Sequence, residues 1–198
     1  MKINLILLAS GNSKRFNGNK LLIDFKGSLL YMHTLDKIKK LHSNIIKFNK
    51  VIVVTQYEDI KSSALDLGFD VILNKESDLG ISNSIKLGIN RDLNAEGYMF
   101  MVCDQPFIKI DTIKKLIYEF EKGEKGICSV GFNNRLGNPN IFSRIYIDEL
   151  SSLKGDVGGK AVLKKHLDDL MIVQVSDKLE LKDIDTIEDV INIENDNI

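Results

Sequence analysis

A chain of 198 residues, set against roughly 150 residues per domain, is long enough for one compact domain with its own core, and needs no disulfide or metal staple. Its 27 Lys and Arg against 28 Asp and Glu leave a formal charge of -1, which argues against a broad electrostatic grip on nucleic acid or an anionic membrane. Only two prolines, Pro106 and Pro139, and four arginines, Arg15, Arg91, Arg135 and Arg144, interrupt a lysine-rich chain, so each marks a position suited to a specific task.

The first predicted element is an apolar strand over 3–9, ended by Ser10-Gly11-Asn12-Ser13-Lys14-Arg15. It is too short to span a membrane and lacks the cleavage pattern of a secretory signal. Short β-branched runs recur at 51–55, 69–73, 98–103, 127–131 and 171–175, separated by segments of helical period. That alternation predicts βα units and a mostly parallel sheet. Val51-Ile52-Val53-Val54 is apolar throughout, so helices cover both faces, giving a three-layer α/β/α fold with a Rossmann-like sheet over residues 1–198. Leu30, Thr34, Leu35, Ile38 and Leu41 form one helical stripe, and Ile113, Leu116, Ile117 and Phe120 another. Ser82 precedes a helix through Ile89, Asp111 is placed to cap the helix ending near Phe120, and 185–189 opens a last short helix. Cys103 and Cys128 sit in apolar runs without a CxxC or Cys/His cluster, which reads as buried thiols in a reducing, cytoplasmic setting.

Two junctions carry chemistry. After the first strand, the small residues Ala9, Ser10 and Gly11 let backbone approach a ligand, and a loop running from strand toward helix offers N–H groups to phosphate. Arg15 and Lys20 add cations, so the segment suits a triphosphate. A P-loop does not fit, because Leu21 follows Lys20, and no GxGxxG follows the strand. The second junction is Asp104, delivered by an apolar strand to the carboxyl edge of a parallel sheet, where open α/β folds bind ligands. Its hard oxygens suit Mg²⁺, which binds through one or two carboxylates plus substrate phosphates. His33, His42 and His166 are scattered, and no GxSxG elbow occurs.

The run from Leu8 to Lys20 resembles the LAAGxSxRMGxxK signature of the MobA-like nucleotidyltransferases, in particular the branch containing molybdenum cofactor cytidylyltransferase. Ala9, Gly11, Ser13, Arg15 and Lys20 are in register, whereas Ser10 and Asn17 depart from it. Asp104-Gln105-Pro106 is similar to the DxP element of that family, in the DQP form of this branch. Residues 74–85, with Gly80, Ser82 and Ser84, resemble its nucleotide-lining segment. Gly137-Asn138-Pro139 resembles its GxPxxF element and 155–160 its GDxGxR, with Lys160 in place of Arg. Residues 183–189 resemble its DIDTPED ending, which reads mainly as helix capping, with the alternative that one Asp of the run reaches the metal or substrate.

The resemblance implies a fold of the nucleotide-diphospho-sugar transferase type and a Mg²⁺-dependent transfer of CMP from CTP to the terminal phosphate of the molybdenum cofactor. It implies catalytic roles for Arg15, Lys20 and Asp104, with Asp104 holding the metal. The nucleotide would lie against Leu8, Ala9, Ser10, Gly11, Ser13, Arg15, Lys20, Gly80, Ser82, Ser84 and Asp104. The acceptor would meet Gln105, Pro106, Asn138, Pro139, Asp156 and Lys160. A monomer in transient contact with a molybdenum hydroxylase is the expected setting. The alternatives are a guanylyl- or adenylyltransferase acting on molybdopterin or another small phosphate, and a non-catalytic nucleotide-binding accessory protein, suggested by Ser10, Asn17 and Lys160.

Overall fold

The computed structural model describes residues 1–12, 18–133 and 135–195. Strand β1 (Ile3–Ala9) lies centrally because it is apolar on both sides: Ile3, Leu5, Leu7 and Ala9 enter one hydrophobic cluster and Ile6 the other. A 3-10 turn at Lys20–Leu22 and the short ribbon of β2 (Asp24–Phe25) and β3 (Ser28–Leu29) lead into helix α1 (Leu30–Asn44). Then follow β4 (Lys50–Thr55), α2 (Glu58–Asp66), β5 (Asp70–Leu73), α3 (Ile81–Asn90) and β6 (Gly97–Val102). Helix α4 (Ile110–Glu121) precedes β7 (Ile127–Phe132), which turns back into β8 (Arg135–Ser143). The chain continues through α5 (Ile147–Ser152), α6 (Lys160–Lys165), β9 (Leu170–Gln174) and α7 (Ile187–Asn195).

Seven strands form one sheet in the order β5-β4-β1-β6-β8-β7-β9. β8 is antiparallel to β6 and β7, and the other pairings in this sheet are parallel. α1, α2 and α4 bury Leu35, Ile38, Ile60, Ala64, Ile113 and Leu116 against one face. α3, α5 and α6 bury Ile85, Ile89, Leu150 and Val162 against the other. Each such Leu or Ile contributes about 1.5–3 kcal/mol, so the three layers predicted from the apolar runs are what burial of both faces produces. Gly88 lets α3 lie close on β1, since a Cβ there would stand 2.5 Å from Cγ2 of Ile6. No helix among the described residues is long and apolar enough to cross a membrane.

The six predicted strands are present within a residue at each end, but β8 joins them without a sequence signal. Its first half, Arg135-Leu136-Gly137-Asn138-Pro139, lacks alternation and contains a proline, a pattern that argues against a central strand. Two helix starts also differ from expectation. α3 begins at Ile81, so Ser82 lies inside its first turn, where its amide donates to the Gly155 carbonyl at 3.2 Å. Asp111 lies within α4 and pairs with Lys114 at 2.9 Å. The acid that serves the start of α4 comes from far along the chain. Glu180, only 2% exposed, accepts from the Lys109 amide at 3.1 Å and from the Thr112 hydroxyl.

Candidate active site

Parallel pairing of β1 with β4 and β6, with Ala9 opposite Thr55 and Leu8 opposite Val102, brings three strand ends to one edge. The loop after β1 is fastened there by the three residues that end and follow β4. Thr55 Oγ1 donates to the Ala9 carbonyl at 3.1 Å, Gln56 Nε2 to the Ser10 carbonyl at 2.9 Å, and Tyr57 Oη to the Gly11 carbonyl at 2.7 Å. Carbonyl oxygens engaged in this way do not oppose an approaching phosphate. The Ser10 hydroxyl is also committed, to the Val54 carbonyl at 3.0 Å. Gln56 ties in the next wall as well, donating to Asn12 Oδ1 at 2.7 Å and accepting from Ser77 Oγ at 2.8 Å, while Asn12 donates to Asp78 at 2.9 Å. Gln56, Asn12, Tyr57 and Ser77 carry no local sequence signal, because only the β1–β4 register brings them together.

Asp104 follows β6, and its carbonyl accepts from the Ile184 amide at 2.9 Å, which draws 183–185 alongside. Lys20 reaches in from its 3-10 turn, whose start is fixed by Asn19 Oδ1 accepting from the Leu21 amide at 3.0 Å. Its Nζ lies 2.7 Å from Asp104 Oδ2 and 2.7 Å from Asp185 Oδ1. Burial works against the Lys20 charge, but Asp104 and then Asp185 outweigh it and hold the ammonium above its ordinary pKa. Asp183 is pushed up, first by burial and then by the neighbouring charge of Asp104, although Gln105 Nε2 donates to it at 2.7 Å. The capping expected of 183–189 falls to Thr186 and Asp189: the Thr186 hydroxyl accepts from the Asp189 amide at 3.2 Å, and the Asp189 carboxylate accepts from the amides of Asp185 and Thr186, each at 3.0 Å. Asp183 and Asp185 are thereby left to the cleft.

That cap has a measurable pH signature. Burial opposes its ionisation, but Lys182 and the amides of Asp185 and Thr186 overcome this and lower Asp189 to about 2 from 3.8. A depressed carboxylate stabilises the fold fully above its unfolded value and loses that contribution as pH falls through its folded value. Asp189→Asn is therefore expected to cost about 1–2 kcal/mol in urea unfolding at pH 7. The wild-type and variant curves should converge as pH drops from 3.8 toward about 2, and a gap that persists there would show that charge is not the cause.

Two cavities of about 270 and about 290 Å³ open along this edge and meet at Leu8, Ile81, Val102 and Asp104. The first is lined by Leu8, Ser10, Gly11, Lys20, Gly80, Ser84, Asp104 and Asp156 among the residues predicted from sequence. The second takes in Leu8, Asp104, Gln105, Asn138 and Lys160. Asp156, expected at the acceptor, thus stands with the residues expected at the nucleotide, because its loop lies against Gly80. Ala9, Ser82, Pro106 and Pro139 line neither cavity. Ala9 and Ser82 are packed inside, Pro106 is buried with its carbonyl accepting from Lys37 at 2.8 Å, and Pro139 is buried after a cis peptide bond. Asn138 supports the sheet: the β6–β8 ladder ends at Phe100 opposite Asn140, and Asn138 Oδ1 accepts from the Val102 amide at 3.2 Å. Ser13 and Arg15 lie outside the described residues.

Gly80 is the hinge between the two walls. Its φ of 85° disfavours any side chain, and a Cβ would lie 2.4 Å from the Gly155 backbone. Gly80→Ala is expected to lower stability by about 1–3 kcal/mol and to weaken nucleotide binding about tenfold or more by displacing the 155–156 loop. Urea unfolding and nucleotide titration would check this, and unchanged values in both would refute it.

The described walls hold Asp78, Asp104, Asp156, Asp183 and Asp185 against Lys20, Arg135 and Lys160. A cleft this acidic admits a triphosphate readily only with a cation. Asp104 Oδ1 is buried and has no hydrogen-bond partner among the described residues, which fits a hard divalent ion completed by phosphate oxygens and water. No three metal-ligating side chains converge among the described residues. His33, His42 and His166 line neither cavity and bond to Phe25, Phe48 and Glu149. Both cysteines are buried and unpaired, and burial pushes both thiols up, Cys128 to about 12.

An open, mostly parallel sheet with its cavities at the carboxyl edge is the arrangement of nucleotide-binding α/β proteins. Within that class the chain belongs to the MobA-like NTP transferase domain family, which it matches over residues 5–170. It is 29% identical over 134 residues to a probable molybdenum cofactor guanylyltransferase of Pyrococcus horikoshii, matching 68% of this chain and 65% of that protein. To the purine catabolism protein PucB of Bacillus subtilis it is 23% identical, over 93% of this chain and 92% of PucB. The crystal structure of Rv0371c from Mycobacterium tuberculosis superposes with a TM-score of 0.83 at 23% identity, covering 98% of this chain and 99% of that one. A second structure of Rv0371c, in complex with manganese, gives 0.71 at 23% identity over 88% of this chain and 89% of that one.

Proposed function

We propose that the protein transfers a nucleoside monophosphate from a nucleoside triphosphate to the terminal phosphate of the molybdenum cofactor, releasing pyrophosphate. The observation that carries this reading is one carboxylate, Asp104, shared by two cavities and bonded to Lys20. A donor in the first cavity and an acceptor in the second would meet at that residue. A phosphate monoester has its second pKa at about 6, so the nucleophile is already largely ionised at neutral pH and needs no general base. The work left to the chain is alignment and charge neutralisation. Lys20 supplies a fixed positive charge, Asp104 and Asp185 keep it oriented, and the fastened loop at 10–12 shapes the cavity for the nucleotide. Asp104, with Asp183 or Asp185, would hold Mg²⁺, which when bound offsets the charge of the triphosphate.

CTP is the first choice of donor, supported by the likeness of Asp104-Gln105-Pro106 to the cytidylyltransferase branch. GTP is the second, favoured by the relative named a guanylyltransferase. A single-domain, monomeric, cytoplasmic enzyme that passes its product to a molybdenum hydroxylase belongs to the same proposal. Pyrophosphate release with molybdenum cofactor and each of CTP, GTP and ATP tests it. Release with one nucleotide in clear excess is the expected result. Mg-nucleotide binding without release from any of the three would leave a non-catalytic accessory protein instead.

A further inference from the structure

Of the two cations in the second cavity, Lys160 is expected at the acceptor, whereas Arg135 has no task in the site described above. Arg135 opens β8, Lys160 opens α6, and both line this cavity. Neither side chain makes an ion pair or hydrogen bond among the described residues, whereas Lys20, the other cation of the cleft, is held by two aspartates. Lys160 is held below the usual lysine value by burial and then by Arg135 beside it. Asp183 offsets part of that repulsion, but its carboxylate is already engaged by Gln105 at 2.7 Å. Two like charges left together on a cavity wall are unfavourable until an anion joins them. The same wall also carries Asp104, Asp183 and Asp185, while Phe100, Leu136, Leu181 and Ile85 give it an apolar floor.

We infer that Arg135 and Lys160 form a clamp for the phosphate of the acceptor, and that the acceptor is a phosphate ester with an apolar or planar body. The guanidinium grips two phosphate oxygens with its fork, and the ammonium adds a point charge. Arg135 therefore supplies the bidentate contact that a lysine at position 160 cannot. Naming the anion as the acceptor's rests on the transferase reading, whereas the clamp itself rests on the geometry of the cavity.

The test uses the full chain with Arg135→Gln, Lys160→Gln and Arg135→Lys. Both positions are exposed, so folding should be retained, and thermal unfolding checks this. With molybdopterin as acceptor, each Gln variant should raise the acceptor KM about tenfold or more while the nucleotide KM stays within about twofold, and Arg135→Lys should recover only part of the loss. An unchanged acceptor KM, or a rise in the nucleotide KM instead, overturns the clamp. If the wild-type protein turns over no molybdopterin, the transferase reading fails, and calorimetric titration with inorganic phosphate then decides the clamp alone. Phosphate binding lost in both Gln variants supports it and assigns the cavity to another phosphate ester. Binding that is absent in the wild type, or unaltered in the variants, overturns it.

Discussion

Lys20→Met should lower pyrophosphate release by about 10²–10³-fold, the cost of removing one preorganised positive group from a charge-building transition state. Methionine keeps the aliphatic stem and removes only the ammonium, so the change isolates the charge. The same substitution leaves Asp104 and Asp185 without the cation each meets at 2.7 Å. Removing one partner of a buried ion pair costs about 3–5 kcal/mol, and the partial exposure of this trio reduces the expected loss to about 1–3 kcal/mol. Its pH dependence has a definite sign. Lys20 has a raised pKa, so its contribution is complete below 10.5 and fades as pH climbs through the folded value. The stability gap between wild type and variant should be flat through neutral pH and close only in strong base. Pyrophosphate release equal to wild type would end the catalytic assignment of Lys20.

Asp104→Asn should have an effect on turnover of about the same size, with a different fingerprint. The amide preserves shape but is a poor partner for a hard cation, so the activity that remains should no longer respond to Mg²⁺ over the range that saturates the wild type. The fold should tolerate it better than Lys20→Met, because Lys20 keeps Asp185 and the neutral amide removes one of the charges that raise Asp183. Asp183 should therefore titrate at lower pH in the variant, which carboxylate NMR would follow. A Mg²⁺ titration identical to wild type would remove Asp104 from the metal site.

The elements legible in the sequence were those whose signal is burial. Runs such as Val51-Ile52-Val53-Val54 have no reading other than a strand covered on both faces, and they fixed the layers. β8 escaped because its ends serve different ends of the molecule: Asn140-Ile141-Phe142 is core, while Arg135 to Asn138 faces a cavity and carries polar and turn-forming residues. At the site, Lys20 and Asp104 stood out through their place after a strand or small-residue loop. Asp183 and Asp185 were legible only as an alternative, since an acidic run before a helix reads mainly as a cap until the structure shows that Thr186 and Asp189 fill that role. Gln56 was invisible for a simpler reason. A lone glutamine after a strand acquires meaning only once β1 lies beside β4.

The loop through 155–160 belongs to both cavities, placing Asp156 in one and Lys160 in the other while its backbone rests against Gly80. A shift of these six residues at one cavity would therefore be felt at the other. Under the proposed transferase reading, donor and acceptor would hold a thermodynamic conversation through this short piece of main chain. Linkage makes that conversation symmetric: whatever factor a bound nucleotide contributes to acceptor affinity, the acceptor returns to the nucleotide.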